Sequence, residues 1–479
     1  MPDALLIAER LVRRFARDTN LLVAGRTIDV IGTDDVADEL RALLSRLGAR
    51  IGEGAVVFAP GAATEILLDG APLPQRVGAD QRIDFAGSHM PVSRGIAESL
   101  RAAGTVRGIR IGIAMVLEPK TAQLALQLRD AGADVAVYAH PDEIDPEVAA
   151  ALRARGIPVD GDPALSGSAE REAAIDFLRR GHDLLLDDGS HLIRLAHEEG
   201  LLAGLRGAAE ETTSGLTPLR RMAAEGVLRI PVIAVNDAPM KTAFDNRYGT
   251  GQSCVFAVAD VLDAAGLSLR DQPAVVVGYG PVGEGVAAHL RALGATVSVT
   301  ETDPVRALRA AHDGYETGRL RTLAPGALVV SATGAPHTID AETLRTARVV
   351  AVAGGVPGEV DIDLAGLHPV ELSGAALPHL ERAGDGALLM ARGGCVNLAA
   401  AEGNPIEIMD LSFAVQLSAV AKLLGTRLPA GVHPFPAEAD EAVARAALAA
   451  RDESLDVRSD AQLRAQDDWR SPRYREATA

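Results

Sequence analysis

The sequence predicts an α/β protein made of two doubly wound parallel domains preceded by a small α/β extension. Two observations carry this. Strand-like apolar runs alternate with helical ones through most of the 479 residues, as in parallel sheets whose strands are joined by covering helices. The chain is also too long for one simple core and calls for two or three domains. Hydrophobic residues at 48% and charged residues at 23% fit globular domains.

Residues 1–84 form the extension. Thr27 to Ile31 is a short strand, Asp34 to Leu47 an amphipathic helix, Gly54 to Ala59 another strand, and Gly70 to Gly78 a linker. From about residue 86 the alternation is regular. Ile109 to Met115 and Asp134 to Tyr138 are strands flanking a helix at Thr121 to Ala131. Helices at Ala149 to Arg155 and Ala169 to Arg180 lead to a buried strand at Leu184 to Leu186. Pro231 to Val235 is a further strand that opens into a polar segment. The first domain spans 85–240 and is completed by about 405–435. A second α/β series, 250–403, has its first strand at Ala274. Residues 436–479 hold an alanine-rich helix, Ala437 to Ala450, and a charged tail expected to be extended after Asp452.

The second series opens on a dinucleotide signature. Ala274 to Val277 is a continuous apolar run, as a strand buried on both faces requires. It runs into Gly278-Tyr279-Gly280-Pro281-Val282-Gly283 and then a helical stretch, Glu284 to Leu293. Gly278 permits the tight turn, Gly280 lets backbone approach a pyrophosphate beside Val282, and Gly283 allows close helix–strand packing. The helix amino terminus offers free N–H groups and positive dipole to the phosphates. The next strand, Thr296 to Thr300, ends at Glu301. A carboxylate there accepts both ribose hydroxyls and repels a 2′-phosphate, so the expected cofactor of this Rossmann unit is NAD.

Lys and Arg number 47 against 65 Asp and Glu, a net charge of -18. Such an acidic surface repels phosphate backbones and anionic lipid, which argues against nucleic acid and membrane partners. No apolar stretch is expected to reach the roughly 18 residues of a membrane span, and the amino terminus lacks a signal pattern. Two cysteines, Cys254 and Cys395, lie far apart without metal-ligand spacing, so no metal site is expected. These features predict a cytoplasmic protein.

Three further segments are specific. They are Leu186-Asp187-Asp188-Gly189, Glu210-Glu211-Thr212-Thr213-Ser214-Gly215, and Val235-Asn236-Asp237 followed by Lys241 and the run Phe244 to Ser253. With the phosphate loop, Thr300 to Pro304, Val396-Asn397-Leu398 and Gly431-Val432-His433, they resemble the S-adenosylhomocysteine hydrolases (adenosylhomocysteinases) over roughly residues 86–450. The resemblance implies a substrate domain and an NAD domain, both Rossmann-like, joined by two hinges around a cleft. It implies a redox cycle on a nucleoside or nucleoside thioether. The 3′-hydroxyl is oxidised, the C4′ proton removed, the 5′ substituent lost, water added and the ketone reduced, with NAD regenerated each turnover. By resemblance Lys241 lies beside the 3′-hydroxyl with Asp245 as partner. Glu211 holds the ribose diol and Asp188 lies near the 5′ end. Thr212, Thr213, Ser214, Asn246 and Asn397 line the nicotinamide, with Thr333 a further candidate. The resemblance also implies a homo-oligomer, a dimer or tetramer, in which Arg470 and Tyr474 have the spacing of tail residues that reach a neighbour's NAD.

Each residue has a plainer reading. Asp188 before Gly189 can cap a turn, Glu211 can belong to a helix amino terminus, and Lys241 with Asp245 can be an exposed pair one helical turn apart. The sequence also departs from the family. Val116, Leu117 and Glu118 stand where the family has His-Met-Thr, and Lys120 replaces a Gln or Glu that reads adenine. Gly354-Gly355-Val356 replaces Gly-His-Phe, Asn404 a histidine at the base, and Glu402 an apolar residue of the base pocket. His191 stands where an acid is usual. Glu118, Thr121 and Asn404 are thus the candidate substrate contacts, while Val116 removes an acid–base group at C5′. If buried, Glu118 and Lys120 must meet polar groups of a ligand or each other. The rewritten leaving-group end beside an intact oxidising centre predicts a lyase, a nucleoside dehydratase that makes an exocyclic alkene. The alternatives are the hydrolase that gives adenosine and homocysteine and, in another class, a non-catalytic NAD-binding regulatory protein. A role for residues 1–84 is not legible.

Overall fold

The apolar runs become the strands of three sheets in the computed structural model, which describes residues 3–74, 78–470 and 473. The extension forms the first sheet, ordered Arg50–Ile51, Thr27–Val30, Val56–Phe58, Ile66–Leu68, Ala71–Pro72, its first three strands parallel and the rest antiparallel. The helices Ala4–Thr19 and Asp35–Arg46 bury Phe15, Leu40 and Leu44 in its core.

The second sheet has seven parallel strands in the order Gly431–Pro434, Pro231–Ala234, Gly207–Glu210, Leu184–Asp187, Arg110–Ala114, Asp134–Tyr138, Val159–Asp160. The third has eight. Six run parallel, from Glu316–Thr317 through Thr296–Thr300, Pro273–Val277, Leu328–Ser331 and Val349–Val352 to Leu388–Met390. An antiparallel hairpin, Ala375–Ala383 with Leu367–Leu372, extends the edge. Strand order reverses between Arg110–Ala114 and Leu184–Asp187 in the second sheet, and between Pro273–Val277 and Leu328–Ser331 in the third. The crevice beyond the carboxyl ends of such strands is where open α/β sheets take ligands.

Four expectations change. The helix Ala79–Ser88 runs across position 84 and packs against Pro119–Asp130 and Pro146–Ala154, with Arg82 Nη1 2.7 Å from Asp145 Oδ2, so these residues belong with the second sheet rather than the extension. The linker placed at Gly70 to Gly78 holds the short strand Ala71–Pro72, and its residues 75–77 lie outside the described residues. The tail is not wholly extended. Asp460–Asp467 is helical because Ser459 and Gln462 form a reciprocal capping box. Finally, Ile406–Gly425 is long and apolar enough by composition to cross a membrane, against the expectation of no such stretch. In the fold it is a core helix, packed on Pro91–Ala103, Pro119–Asp130 and the strand Gly207–Glu210.

Candidate active site

The carboxyl ends of the second and third sheets face one cleft of about 920 Å³. On one side it is walled by the phosphate loop. Gly278 has φ +93°, a left-handed conformation that costs glycine least. A Cβ on Gly283 would sit 2.0 Å from Gly278 O, so the helix Pro281–Ala292 can approach its strand only with glycine there. Gly280, Val282 and Thr333 line the same wall. Burial acts to raise the Glu301 carboxyl. Backbone N–H bonds from Asp303 (3.0 Å), Tyr279 (2.7 Å) and Thr302 (2.6 Å) outweigh it and hold the group below the ordinary glutamate range, hence ionised. Thr333 is fixed by Glu359, whose Oε1 accepts its Oγ1 at 3.0 Å.

The opposite wall carries the sugar-side cluster. Lys241 ends a short helical turn, Pro239–Lys241, and a widened helical segment, Thr242–Gly249, follows it. The pair is buried, not surface-exposed. Lys241 Nζ lies 2.8 Å from Asp245 Oδ2 and 4.0 Å from Glu211 Oε1, and donates to Asn246 Oδ1 at 3.1 Å. Burial alone would depress the Lys241 amine, but the Asp245 and Glu211 charges prevail and keep it above its usual value. Glu211 is buried below the helix Thr213–Ala224, while Thr212 serves as that helix's cap. Ser412 Oγ and Gln416 Nε2 both donate to its carboxyl, the latter at 2.6 Å. Burial, opposed by Lys241, pushes Glu211 up to about 7. Thr213 and Ser214 line the cleft beside it.

Next to this cluster the strand ends Asp187 and Glu210 bring further carboxyls together. Burial drives Asp187 to about 8 and raises Asp188 and Glu210. Glu210 Oε1 accepts from Gly189 N at 3.0 Å and from Thr212 Oγ1 at 2.7 Å, which ties the two loops of the wall together. Asp188 faces the cleft.

At the far end the departures from the family meet one another. Glu118 caps the helix Pro119–Asp130 and lies 2.7 Å from the Lys120 ammonium. Lys120 Nζ also donates to Glu402 O at 2.6 Å and to Asn20 Oδ1 at 3.2 Å, so its three protons have three acceptors. Asn20 comes from the extension, which therefore reaches the substrate end of the cleft. The extension also grips the helix Thr250–Ala264, through Arg13 to Asp260 and Gln252 Nε2 to Leu21 O at 3.1 Å. Thr121 lines the cleft. Asn404 does too, but its amide is engaged. It donates to Asp245 Oδ1 at 2.6 Å and accepts from Asn397 Nδ2 at 3.0 Å, joining the two crossings between the sheets.

Every candidate catalytic, cofactor and substrate residue named from the sequence borders this cleft except Gly283, which lies behind the loop. Of the departures from the family, Leu117, His191, Val356 and Glu402 are not on its lining, and neither is the tail. Arg470 is exposed and bonds to Asp468, and Tyr474 lies outside the described residues. Sequence reading missed Glu210, Asp187, Ser412, Gln416 and Asn20. The first two lie inside the quoted motifs, where they were given no role, and were legible as buried acids at strand ends. Among the described residues no group of acids, histidines and cysteines has the form of a metal site.

The geometry agrees with comparison to known proteins. The family model for the S-adenosyl-L-homocysteine hydrolase NAD binding domain matches residues 246–403. The adenosylhomocysteinase of Archaeoglobus fulgidus is 38% identical over 401 residues, 81% of this chain and 98% of its own. That of Thermotoga maritima is 36% identical over 406 residues, 81% of this chain and 99% of its own. The S-inosyl-L-homocysteine hydrolase of Methanopyrus kandleri is 39% identical over 382 residues, 76% of this chain and 89% of its own.

Proposed function

The chain belongs to the adenosylhomocysteinase family, and from that premise we propose that it hydrolyses a nucleoside thioether of the nucleosyl-homocysteine class. Its cofactor is NAD. The residues present fit it: Gly280, where only the flexible Arg306 guanidinium approaches within 4 Å of a Cβ position, the helix amino terminus behind it, the ionised Glu301 and the Thr333 hydroxyl. When bound, NAD supplies a two-electron acceptor that is restored within each turnover.

The observation that carries the reading is the buried Lys241–Asp245–Glu211 cluster on the wall facing the phosphate loop. An ammonium there donates to a sugar hydroxyl and orients it. Glu211, poised near neutrality, takes the hydroxyl proton. Asn246 and Asp245 hold the ammonium in place. With Glu211 as acceptor, kcat/KM should rise as pH increases through about 7, because the ionised form becomes available. The Glu211→Gln variant should lose that limb and about 10²–10⁴-fold in rate. A pH–rate profile of both proteins checks this, and an unchanged limb in the variant contradicts it.

The end of the cleft that carries the Glu118–Lys120 pair departs from the family pattern in its residues. The relatives named as hydrolases, including one for S-inosyl-L-homocysteine, support hydrolysis and argue against the dehydratase expected from the sequence. One observation still favours the dehydratase as a second reading, namely Val116 on the cleft wall. Incubation with S-adenosylhomocysteine, S-inosylhomocysteine and the parent nucleosides, followed by mass spectrometry, separates the two. Free homocysteine with an intact nucleoside supports the proposal. Loss of water from a nucleoside, with every thioether untouched, overturns it.

A further inference from the structure

Breaking a C5′–S bond and then adding water at C5′ require a proton donor and acceptor at that end of the cleft. Val116 on the wall cannot serve. The fold brings a carboxyl to the same place. The segment after the strand Arg110–Ala114 is bridged in parallel to the loop after Asp134–Tyr138. Leu117 N donates to Glu143 O at 2.8 Å, and Asp145 N to Leu117 O at 2.9 Å. This backbone bridge sets Glu143 alongside Val116, and the Glu143 side chain borders the cleft with Asp188 and Cys395. Among the described residues its carboxyl makes no hydrogen bond or ion pair, whereas Glu118, Glu210 and Glu211 are all engaged. The loop that carries it contains His140, which pairs with Glu170 at 2.9 Å and packs edge-on against His191.

We infer that Glu143 is the acid–base catalyst at the leaving-group end, acting where residue 116 cannot. The inference rests on the nucleoside-thioether reading above. In elimination the C4′ proton passes to the sugar-side carboxylates and the C5′–S bond breaks with its electron pair on sulfur. Sulfur takes the Glu143 proton and leaves as thiol. In the return step a water oxygen bonds to C5′, its proton goes to the Glu143 carboxylate, and C4′ regains its own. The sum is hydrolysis, with no oxidant beyond NAD.

The surroundings suit a proton carrier. Burial, then Asp188 and Asp142, raise Glu143 well above the ordinary carboxyl range. His191, packed edge-on against His140, is pushed down to about 4 by burial and by His140, so it is neutral near pH 7.

The test uses the NAD-loaded enzyme with S-adenosylhomocysteine and S-inosylhomocysteine, following NADH absorbance and thiol release separately. Glu143→Gln should still reduce bound NAD on mixing but release thiol about 10²–10⁴-fold more slowly. Glu143→Asp, or Val116→His added to Glu143→Gln, should recover part of the rate. Thiol release by Glu143→Gln at the wild-type rate overturns the assignment. Loss of NAD reduction together with thiol release also overturns it, since the role would then be structural. A wild-type enzyme that reduces NAD with neither thioether overturns the underlying reading instead.

Discussion

Replacing Lys241 by methionine is expected to abolish substrate-driven reduction of bound NAD while the cofactor stays in place. Methionine keeps the apolar stem and removes the only cation within 4.0 Å of both Asp245 and Glu211 among the described residues. The sugar hydroxyl then loses its donor, a deficit of about 10²–10⁴ in rate. Asp245 and Glu211 are left buried without a counter-charge, and breaking a buried pair from one side costs about 3–5 kcal/mol. Glu211 can relieve part of that by protonating. Stopped-flow absorbance after mixing with substrate, beside a cofactor assay of the same sample, checks both halves. NAD reduction at the wild-type rate would show that the cluster is not the oxidising centre.

The second large effect is expected at the phosphate loop. Gly283→Ala places a methyl 2.0 Å from the Gly278 carbonyl oxygen, a rigid backbone atom. Helix and strand must separate, with overpacking costs of about 1–3 kcal/mol or more. The separation carries the helix amino terminus away from the phosphates, so bound cofactor is lost as well. At a cofactor concentration 1,000 times Kd that binding contributes about 4 kcal/mol of stability. The variant should therefore purify with little NAD and melt well below the wild type, and added NAD should restore little. A Gly283→Ala protein with full NAD and an unchanged Tm would refute the packing argument.

Much of this was legible where the chemistry is contiguous in the chain. The apolar run Ala274 to Val277, its glycines and Glu301 lie within one strand–helix–strand unit, so local pattern alone locates the NAD wall. Lys241 and Asp245 were legible because four residues bring side chains together on a helical segment, even a widened one. What was not legible depends on distant returns of the chain. Ser412 and Gln416 reach Glu211 from a helix some two hundred positions later. Asn20 meets Lys120 across a hundred. Nothing periodic announces either contact. Asn404 was legible as a residue of the cleft, but the bond its amide donates to Asp245 was not. Glu143 escaped notice because its place follows from a backbone bridge between two loops. The tail helix was readable from Ser459 and Gln462 but was masked by the charges around them.

The central claim is that NAD is recycled within one active site and not consumed. The most direct measurement counts homocysteine released per bound NAD by the purified protein, with S-adenosylhomocysteine or S-inosylhomocysteine and no added cofactor. The account predicts many turnovers per NAD, a transient rise in NADH, and the cofactor back as NAD when substrate is exhausted. A single equivalent of oxidised product with NADH accumulating, or turnover only with external NAD, would contradict it.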